Sequence, residues 1–506
     1  MNITIQRDSP VPVYKQIRNQ IRDLILAGAL PPGYRLPPER KLADALGVNR
    51  TTVLNAYRDL RADALIDSHI GQGTVVAPSA AAPEAARVDP PEWRQLLSQS
   101  AARMQQPLVS NILKIANRPE LISFAAGFST CVTDPIAELL ETQNRILRDY
   151  GSTTLQYSAT EGHFPLRESL CRLLEGRGIR VTPEEVMVLA GSQQGIDLAA
   201  RILLDPGDLI VVEEPTFFGA LQIFQSAGAR ILSVPIDRDG MRVDLLQSLL
   251  ERYKPKFIYT VPTFQNPSGT VLSLERRRQL LDLAYRYRVP IIEDDAYAEL
   301  RYDGQPLPSL KALDQQGYVI YLSSFSKVLF PGLRVGWVAA AQPMIRQYVL
   351  AKQLADLHTN SLAQWIMDDF LRRGVYAQRV QTIRAANRQS RDRMVDALQR
   401  YGLKALEWQR PEGGLYFWCR LPEQLDLSAL VVKAQEKQVV FVPGPIFYPS
   451  GGGPNFIRLS FASPAPDLIE PGVQRLMQAI RELLGQSPGQ PDGEAENLGF
   501  EIRPIL

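Results

Sequence analysis

The sequence predicts two folds in series: a small helical module with a two-stranded wing over residues 1–77, and a large α/β domain with a mostly parallel sheet over 111–485. Three observations carry this. Apolar residues of the first segment recur at helical steps, an Ala/Pro-rich stretch, "APSAAAPEAARVDPPEW", opens a linker over 78–110, and beyond it apolar β-runs alternate with helical stretches. A chain of 506 residues exceeds one ordinary core, and 45% hydrophobic with 22% charged residues is globular composition.

In "PVYKQIRNQIRDLILAG" Val13, Ile17, Ile21, Leu24 and Ile25 fall at three- and four-residue steps, which makes one amphipathic helix stopped by Gly28. "LPPERKLADALG" sets prolines before a second helix with Leu42 and Leu46 inward and Gly47 closing it. Asn49 then caps a third helix through "RTTVLNAYRDLRAD". Two short helices across a tight turn form a helix-turn-helix, and "LIDSHIGQGTVVA" adds two short strands around Gly71 and Gly73, the size of a wing. The linker is poor in large apolar residues and cannot build a core. The runs "EVMVLAG", "DLIVVEEP", "ARILSVPI", "FIYTVP", "VPIIEDD", "VIYLSSFS" and "VGWVAA" are near-continuously apolar, as strands buried on both faces must be. Residues 486–506 are polar and Gly/Pro-rich until a short apolar tip, and a disordered tail is expected there.

The net charge of +2 draws neither DNA nor membranes to the whole molecule, so any nucleic-acid site is a local patch. Residues 1–76, with 10 Lys/Arg against 7 Asp/Glu, are only mildly basic. Cys131, Cys171 and Cys419 are odd in number and far apart, which argues against a disulfide framework, offers no metal-ligand spacing, and suits a reducing cytoplasm. The sequence shows no targeting segment and no apolar run long enough for a membrane span, so a cytoplasmic protein is expected.

Arg50, Thr51 and Thr52 open the third helix, where a recognition helix presents its first turn to a major groove. Arginine reads guanine or grips phosphate, and hydroxyls bond either. Arg35 and Arg40 flank the preceding turn, where helix N–H groups already favour an anion. A docking module with solvated charges has the same pattern. The run "GYRLPPERKLA" followed by "NRTTV" and "GQGT", however, resembles the winged helix-turn-helix of the GntR family of bacterial regulators. That resemblance implies contact with double-stranded operator DNA by Arg35, Arg40, Arg50, Thr51 and Thr52, with Gly71 and Gly73 shaping the wing.

In the large domain, Lys327 lies in "SSFSKVLFPGLRVGW". An ammonium near a core costs several kcal/mol, roughly, unless paired or neutralised, and a lone lysine at a strand end is more often a snorkelling surface residue. A Schiff-base lysine is the other resolution. "AGSQQG" could cradle a phosphate on Ser192 and the N–H groups of Gln193 and Gln194. "EEPTFFGA" offers aromatics for a flat ring, "TVPTFQNPSG" places Asn266 in a turn, and "IIEDDAYAEL" sets Asp294 at the carboxyl end of a strand. Each has an ordinary structural explanation taken singly. Their order resembles fold-type I pyridoxal-phosphate enzymes of the aminotransferase class I/II family.

That resemblance implies pyridoxal 5'-phosphate held as an aldimine on Lys327, Asp294 on the ring nitrogen, and Asn266 with Tyr297 on the phenolic oxygen. Phe217 takes the stacking place, with Phe218 as the neighbouring alternative, and Ser192, Gln193, Gln194, Ser324 and Arg334 the phosphate positions. Tyr157 matches a tyrosine reaching the partner subunit's phosphate, which implies a homodimer. Arg458 in "NFIRLSFA" matches an arginine that grips a substrate carboxylate, with Gly127 beside it. His163 and the tail depart from the pattern. The two halves together resemble the MocR/GabR subfamily of GntR regulators, which implies a regulator sensing an amino-acid-like effector or pyridoxal phosphate itself. An active aminotransferase with an accessory DNA-binding domain is the alternative, and a cofactor-free dimerisation scaffold a third.

Overall fold

The computed structural model describes residues 1, 3–7, 9–69, 73–78, 92–104, 118, 120–129, 136–451, 453 and 455–485. Gly71, Cys131 and residues 486–506 therefore lie outside the described residues. The chain divides into two compact units, Met1–Leu96 and Leu97–Leu506.

In the first unit, α1 (Val13–Leu26), α2 (Glu39–Leu46) and α3 (Arg50–Ala62) precede β1 (Ile66–His69) and β2 (Gly73–Val76), an antiparallel pair. Gly47 ends α2 in the left-handed region at φ 59°, which a Cβ would penalise. Asn49 caps α3 by accepting from the Thr51 N–H at 3.0 Å. Ile17, Ile21, Leu36, Leu42, Val53, Tyr57, Leu60 and Val76 form one buried core. The segment before α2 joins the wing: Leu36 N–H donates to Thr74 O and Val76 N–H to Tyr34 O, both at 2.9 Å. The wing is thereby pinned to the turn that carries Arg35.

The large unit is built on an eight-stranded sheet of β4 (Val186–Leu189), β5 (Leu209–Glu214), β6 (Arg230–Asp237), β7 (Gly240–Met241), β8 (Ile258–Thr260), β9 (Ile291–Asp294), β10 (Val319–Ser324) and β11 (Gly336–Ala339). Its order is β4-β11-β10-β9-β8-β5-β6-β7. The pairs β10/β9, β9/β8, β8/β5 and β5/β6 are parallel, whereas β11 runs antiparallel to both neighbours. Each of the seven quoted apolar runs supplies one strand of this sheet, and its short edge strand β7 has no counterpart among them.

Two short strands, β3 (Ile122–Ser123) and β14 (Val439–Val440), pair in parallel. A four-stranded antiparallel sheet follows, of β12 (Glu407–Trp408), β13 (Tyr416–Arg420), β15 (Val442–Pro443) and β16 (Phe456–Ser460), in the order β12-β13-β16-β15. Arg458 thus sits on an inner strand. Within the stretch expected as linker, residues 92–104 hold two short helices, Trp93–Leu96 and Gln99–Arg103. The second is tied to the large unit by Ser100 Oγ and Arg103 Nε, which donate to Ser226 O at 3.2 and 3.1 Å.

Two buried charges hold the loop after β8 in place. Glu213 accepts from Thr260 Oγ1, Val261 N and Gln265 Nε2 at 2.6, 3.1 and 3.3 Å. Arg277, fully buried, donates to Leu272 O, Pro262 O and Thr263 Oγ1 within 2.9 Å. A charge without such partners could not stay in the core. Among the described residues no helix is long and apolar enough to cross a membrane, no acidic, His or Cys cluster could hold a metal, and Cys171 and Cys419 are free.

Candidate functional site

The carboxyl ends of the parallel strands and the loops beyond them line one cavity of about 340 Å³ in the large unit. Ser192 and Gln193 reach it from the start of the helix Ser192–Leu203, behind β4, and Phe217 from the loop after β5. Asn266 comes from the braced loop after β8, Asp294 from the last position of β9, Tyr297 from just beyond, and Ser324 from the end of β10. Lys327, Arg334, Gly127 and Arg458 also line its walls. Phe218 also lines it, 5.3 Å from Phe217 between ring centroids, so both aromatics border the cavity.

The Lys327 ammonium donates to Gly127 O at 2.7 Å. Asp294 is 4% exposed; its Oδ2 accepts from the Tyr259 hydroxyl at 2.9 Å, and its Oδ1 is buried without a partner. Burial pushes this carboxyl up from its ordinary 3.8 to about 6, and Asp295 adds to that, against the Tyr259 hydrogen bond and the Lys327 charge. Asn266 donates to Tyr297 Oη at 3.3 Å and accepts from Arg458 Nη1 at 2.8 Å. Arg458, 3% exposed, also donates to Ala125 O at 2.9 Å, and its Nε is buried without a partner. Arg334 holds the turn before Ser192, donating to Ala190 O at 3.0 Å. A Cβ on Gly191, at φ 95°, would lie 2.6 Å from Arg334 Nη2, so the turn closes only around glycine.

Two predicted residues stand apart. Gln194 does not line the cavity: its N–H donates to Gly191 O at 3.2 Å, and its side chain faces the buried Lys352 and the exposed Asp356, at 2.9 and 2.7 Å. Tyr157 is 84% exposed and touches His358 edge-on. His163, the departure at the turn, packs on Trp365 at 4.0 Å, where burial lowers its pKa.

Sequence reasoning missed Tyr416, Ser326, Val261, Ala125, Ala296 and Gly191 as lining residues. The signal for Tyr416 was "EGGLYFW". A Cβ on Gly414, at φ 71°, would sit 2.8 Å from Phe264 Cβ, and this close approach delivers the tyrosine to the cavity.

In the N-terminal unit, Arg50 and Thr51 are exposed at the start of α3 and Thr52 is half-buried. The Thr51 hydroxyl donates to Asn49 Oδ1 at 3.0 Å, which leaves it an acceptor. Arg50 pairs loosely with Glu39 at 3.6 Å, and Arg35 and Arg40 are exposed beside them. Gly73 takes φ 84° in the wing. Arg50 is followed on the same exposed face by Leu54 and Arg58, one and two turns on.

The family signature "Aminotransferase class I and II" matches residues 120–476, and "Bacterial regulatory proteins, gntR family" matches 13–76. Among solved structures, the large unit is similar to LysN, an α-aminoadipate aminotransferase from Thermus thermophilus complexed with N-(5'-phosphopyridoxyl)-L-leucine: 39% identity, TM-score 0.73, covering 78% of this chain and 99% of that one. Similarity to the HTH-type transcriptional regulator YisV of Bacillus subtilis spans both units, at 32% identity over 94% of this chain and 98% of YisV. The "Probable rhizopine catabolism regulatory protein MocR" of Rhizobium meliloti is 30% identical over 95% of this chain and 96% of its own length.

These likenesses indicate pyridoxal phosphate as the cofactor, and the cavity fits it. A buried, unpartnered carboxylate oxygen suits a protonated ring nitrogen, a lysine amine stands within the cavity, and an arginine-backed helix start suits a phosphate. With a GntR domain ahead of a class I/II aminotransferase domain, and relatives of that same layout along more than nine-tenths of its length, the chain belongs to the MocR-type, pyridoxal-phosphate-dependent DNA-binding transcriptional regulators.

Proposed function

We propose that the cavity is the regulator's sensor. A small amino acid docks its carboxylate on Arg458 and brings its amine to the cofactor carried by Lys327, and the filled site changes how the N-terminal module engages its operator. The observation that carries this reading is the convergence of Lys327, Asp294 and Arg458 on one cavity in a chain with an exposed, well-capped recognition helix. When bound, the cofactor supplies an electrophilic carbon for amines and an electron-withdrawing ring.

The protein's own groups then have separate tasks. Asp294 would keep a bound ring nitrogen protonated, Asn266 and Tyr297 would hydrogen-bond its phenolic oxygen, and Phe217 would pack against the ring. Ser192, Gln193, Ser324 and Arg334 would hold its phosphate. Arg35, Arg40, Arg50, Thr51, Thr52 and the wing glycines engage operator DNA, within the domain limits 1–77 and 111–485. The chain acts as a homodimer, in the cytoplasm where its operator lies. Leu155, Tyr157 and Leu354 are more than 60% exposed, which suits a surface that a second copy covers and is consistent with Tyr157 reaching the partner's site.

The test is the visible absorption of the cofactor-loaded protein during titration with α- and ω-amino acids, paired with operator binding, and with Lys327→Ala as control. One amine should shift the band once and change operator affinity severalfold. A band shift without any change in DNA binding would refute the sensor. A second reading, an active aminotransferase, is favoured by the completeness of the same residue set. It predicts repeated loss and keto-acid recovery of the band.

A further inference from the structure

Tyr416 is a pocket residue with no place in the scheme above. It opens β13, is 2% exposed, and shares a face of the four-stranded sheet with Arg458 through the register Tyr416↔Ser460 and Trp418↔Arg458. Its ring lies 4.1 Å from the Arg458 guanidinium carbon. Its hydroxyl is 3.4 Å from that of Tyr297 and only 2.7 Å from where a Cβ on Gly127 would stand; Lys327 Nζ is 3.6 Å from that same point. The charged and titratable groups facing the phenol are therefore Arg458 from β16, Lys327 from beyond β10, and Tyr297 from beyond β9, with Asp294 on the same cavity wall.

An amino acid arriving at this cavity carries an ammonium, whose nitrogen has no free electron pair until a proton leaves. We propose that the Tyr416 hydroxyl oxygen is the group that accepts this proton, and that docking of the effector's carboxylate on Arg458 triggers the transfer. The N–H bond of the ammonium breaks, its electron pair stays on nitrogen, and an O–H bond forms on the phenolate; ammonium and phenolate become amine and phenol. This rests on the reading of Arg458 as the carboxylate clamp.

The trigger is electrostatic. Burial raises the phenol's pKa, while the Arg458 charge, the Lys327 charge and the Tyr297 hydrogen bond together bring it below its ordinary 10. A carboxylate on Arg458 offsets the larger of the two charge effects, so the phenolate becomes a stronger base just as the ammonium comes within reach. Ligands with an amine but no carboxylate fail to pull this trigger, which restricts the effector to amino acids.

The experiment uses the full-length, cofactor-loaded protein and butyrate, which has the carboxylate but no amine and cannot condense with the cofactor. The near-ultraviolet phenolate band is followed against pH as the difference between wild type and Tyr416→Phe, with butyrate binding measured in parallel by calorimetry. The expected result is a band absent from Tyr416→Phe whose midpoint rises by about 1 pH unit or more when butyrate binds. Tyr416→Phe should also slow the amino-acid response increasingly as pH falls below the free amine's range, while leaving butyrate affinity within about threefold. If butyrate binds and the midpoint does not move, or no Tyr416-dependent band exists, the proton role is wrong and the clamp stands. If butyrate does not bind, or binds equally to Arg458→Gln, the clamp falls and takes this proposal with it.

Discussion

Replacing Asp294 with asparagine keeps the shape of the side chain and removes a buried charge whose cost can be worked from its surroundings. The carboxyl is 4% exposed, has one hydrogen bond from Tyr259, and is pushed by burial from 3.8 to about 6. A pKa raised in the folded state means that the native protein binds the proton more tightly than the unfolded chain. That stability is fully present below pH 3.8 and is lost as pH rises through about 6. The gap of two units corresponds to about 3 kcal/mol between acid and neutral pH. Urea unfolding of the cofactor-free protein should therefore show wild type losing about 3 kcal/mol relative to Asp294→Asn between about pH 3 and pH 8, whatever the constant offset between them. The cofactor reverses the sign, because its protonated ring nitrogen pairs with the charge. Asp294→Asn should weaken pyridoxal-phosphate binding about a hundredfold at pH 8, and much less near pH 5. Parallel stability curves for the two proteins across this range would refute the reasoning, since they would mean the carboxylate is solvated or paired in the empty cavity.

Lys327→Ala should abolish the visible band and the amine response while leaving the unfolding midpoint of the N-terminal module unchanged, as checked by absorption and by partial unfolding. Gly191→Ala forces a Cβ to within 2.6 Å of Arg334 at φ 95°; it should cost roughly 1–3 kcal/mol and weaken free phosphate and cofactor binding together, read by thermal shift with each. Arg50→Ala should weaken operator binding by roughly tenfold to a hundredfold and lower the salt dependence by about one counterion, with cofactor binding untouched.

Most of the architecture was legible because strands of the large sheet such as β4, β8, β9, β10 and β11 are buried on both faces and therefore read as near-continuous apolar runs. Strands β12, β13, β15 and β16 did not read that way. They are two to five residues long, and the Arg458 that makes β16 functional also interrupts its pattern. The site was legible where a residue follows a strand end, as Asp294 and Ser324 do, since the sheet alone places them. Gln194 lies outside the cavity because a buried lysine, Lys352, competes for its amide from a helix some 160 residues away, and local spacing carries no trace of such a partner. Tyr416 was hidden for the converse reason: an aromatic in "GLYFW" looks like core, and its hydroxyl gains meaning only once β13 and β16 pair.

A sensor and an enzyme make different demands on the same cavity. Interactions that bind the ligand equally before and during reaction do little for turnover, yet they are the whole signal for a sensor, whose output depends on how much better the ligand binds one state than another. Arg458 here is held by Asn266 and Ala125 and faced by the rings of Tyr416 and Phe447, so it is oriented before any ligand arrives, and its carboxylate contact is available to the ground state in full. The same holds for a phenolate that answers the carboxylate rather than a later step. Turnover would further require Lys327 to carry a proton to and from the ligand's α-carbon while its amine is bonded to Gly127 O at 2.7 Å. A regulator needs only the ligand's arrival, and every group this cavity orients in advance acts on arrival.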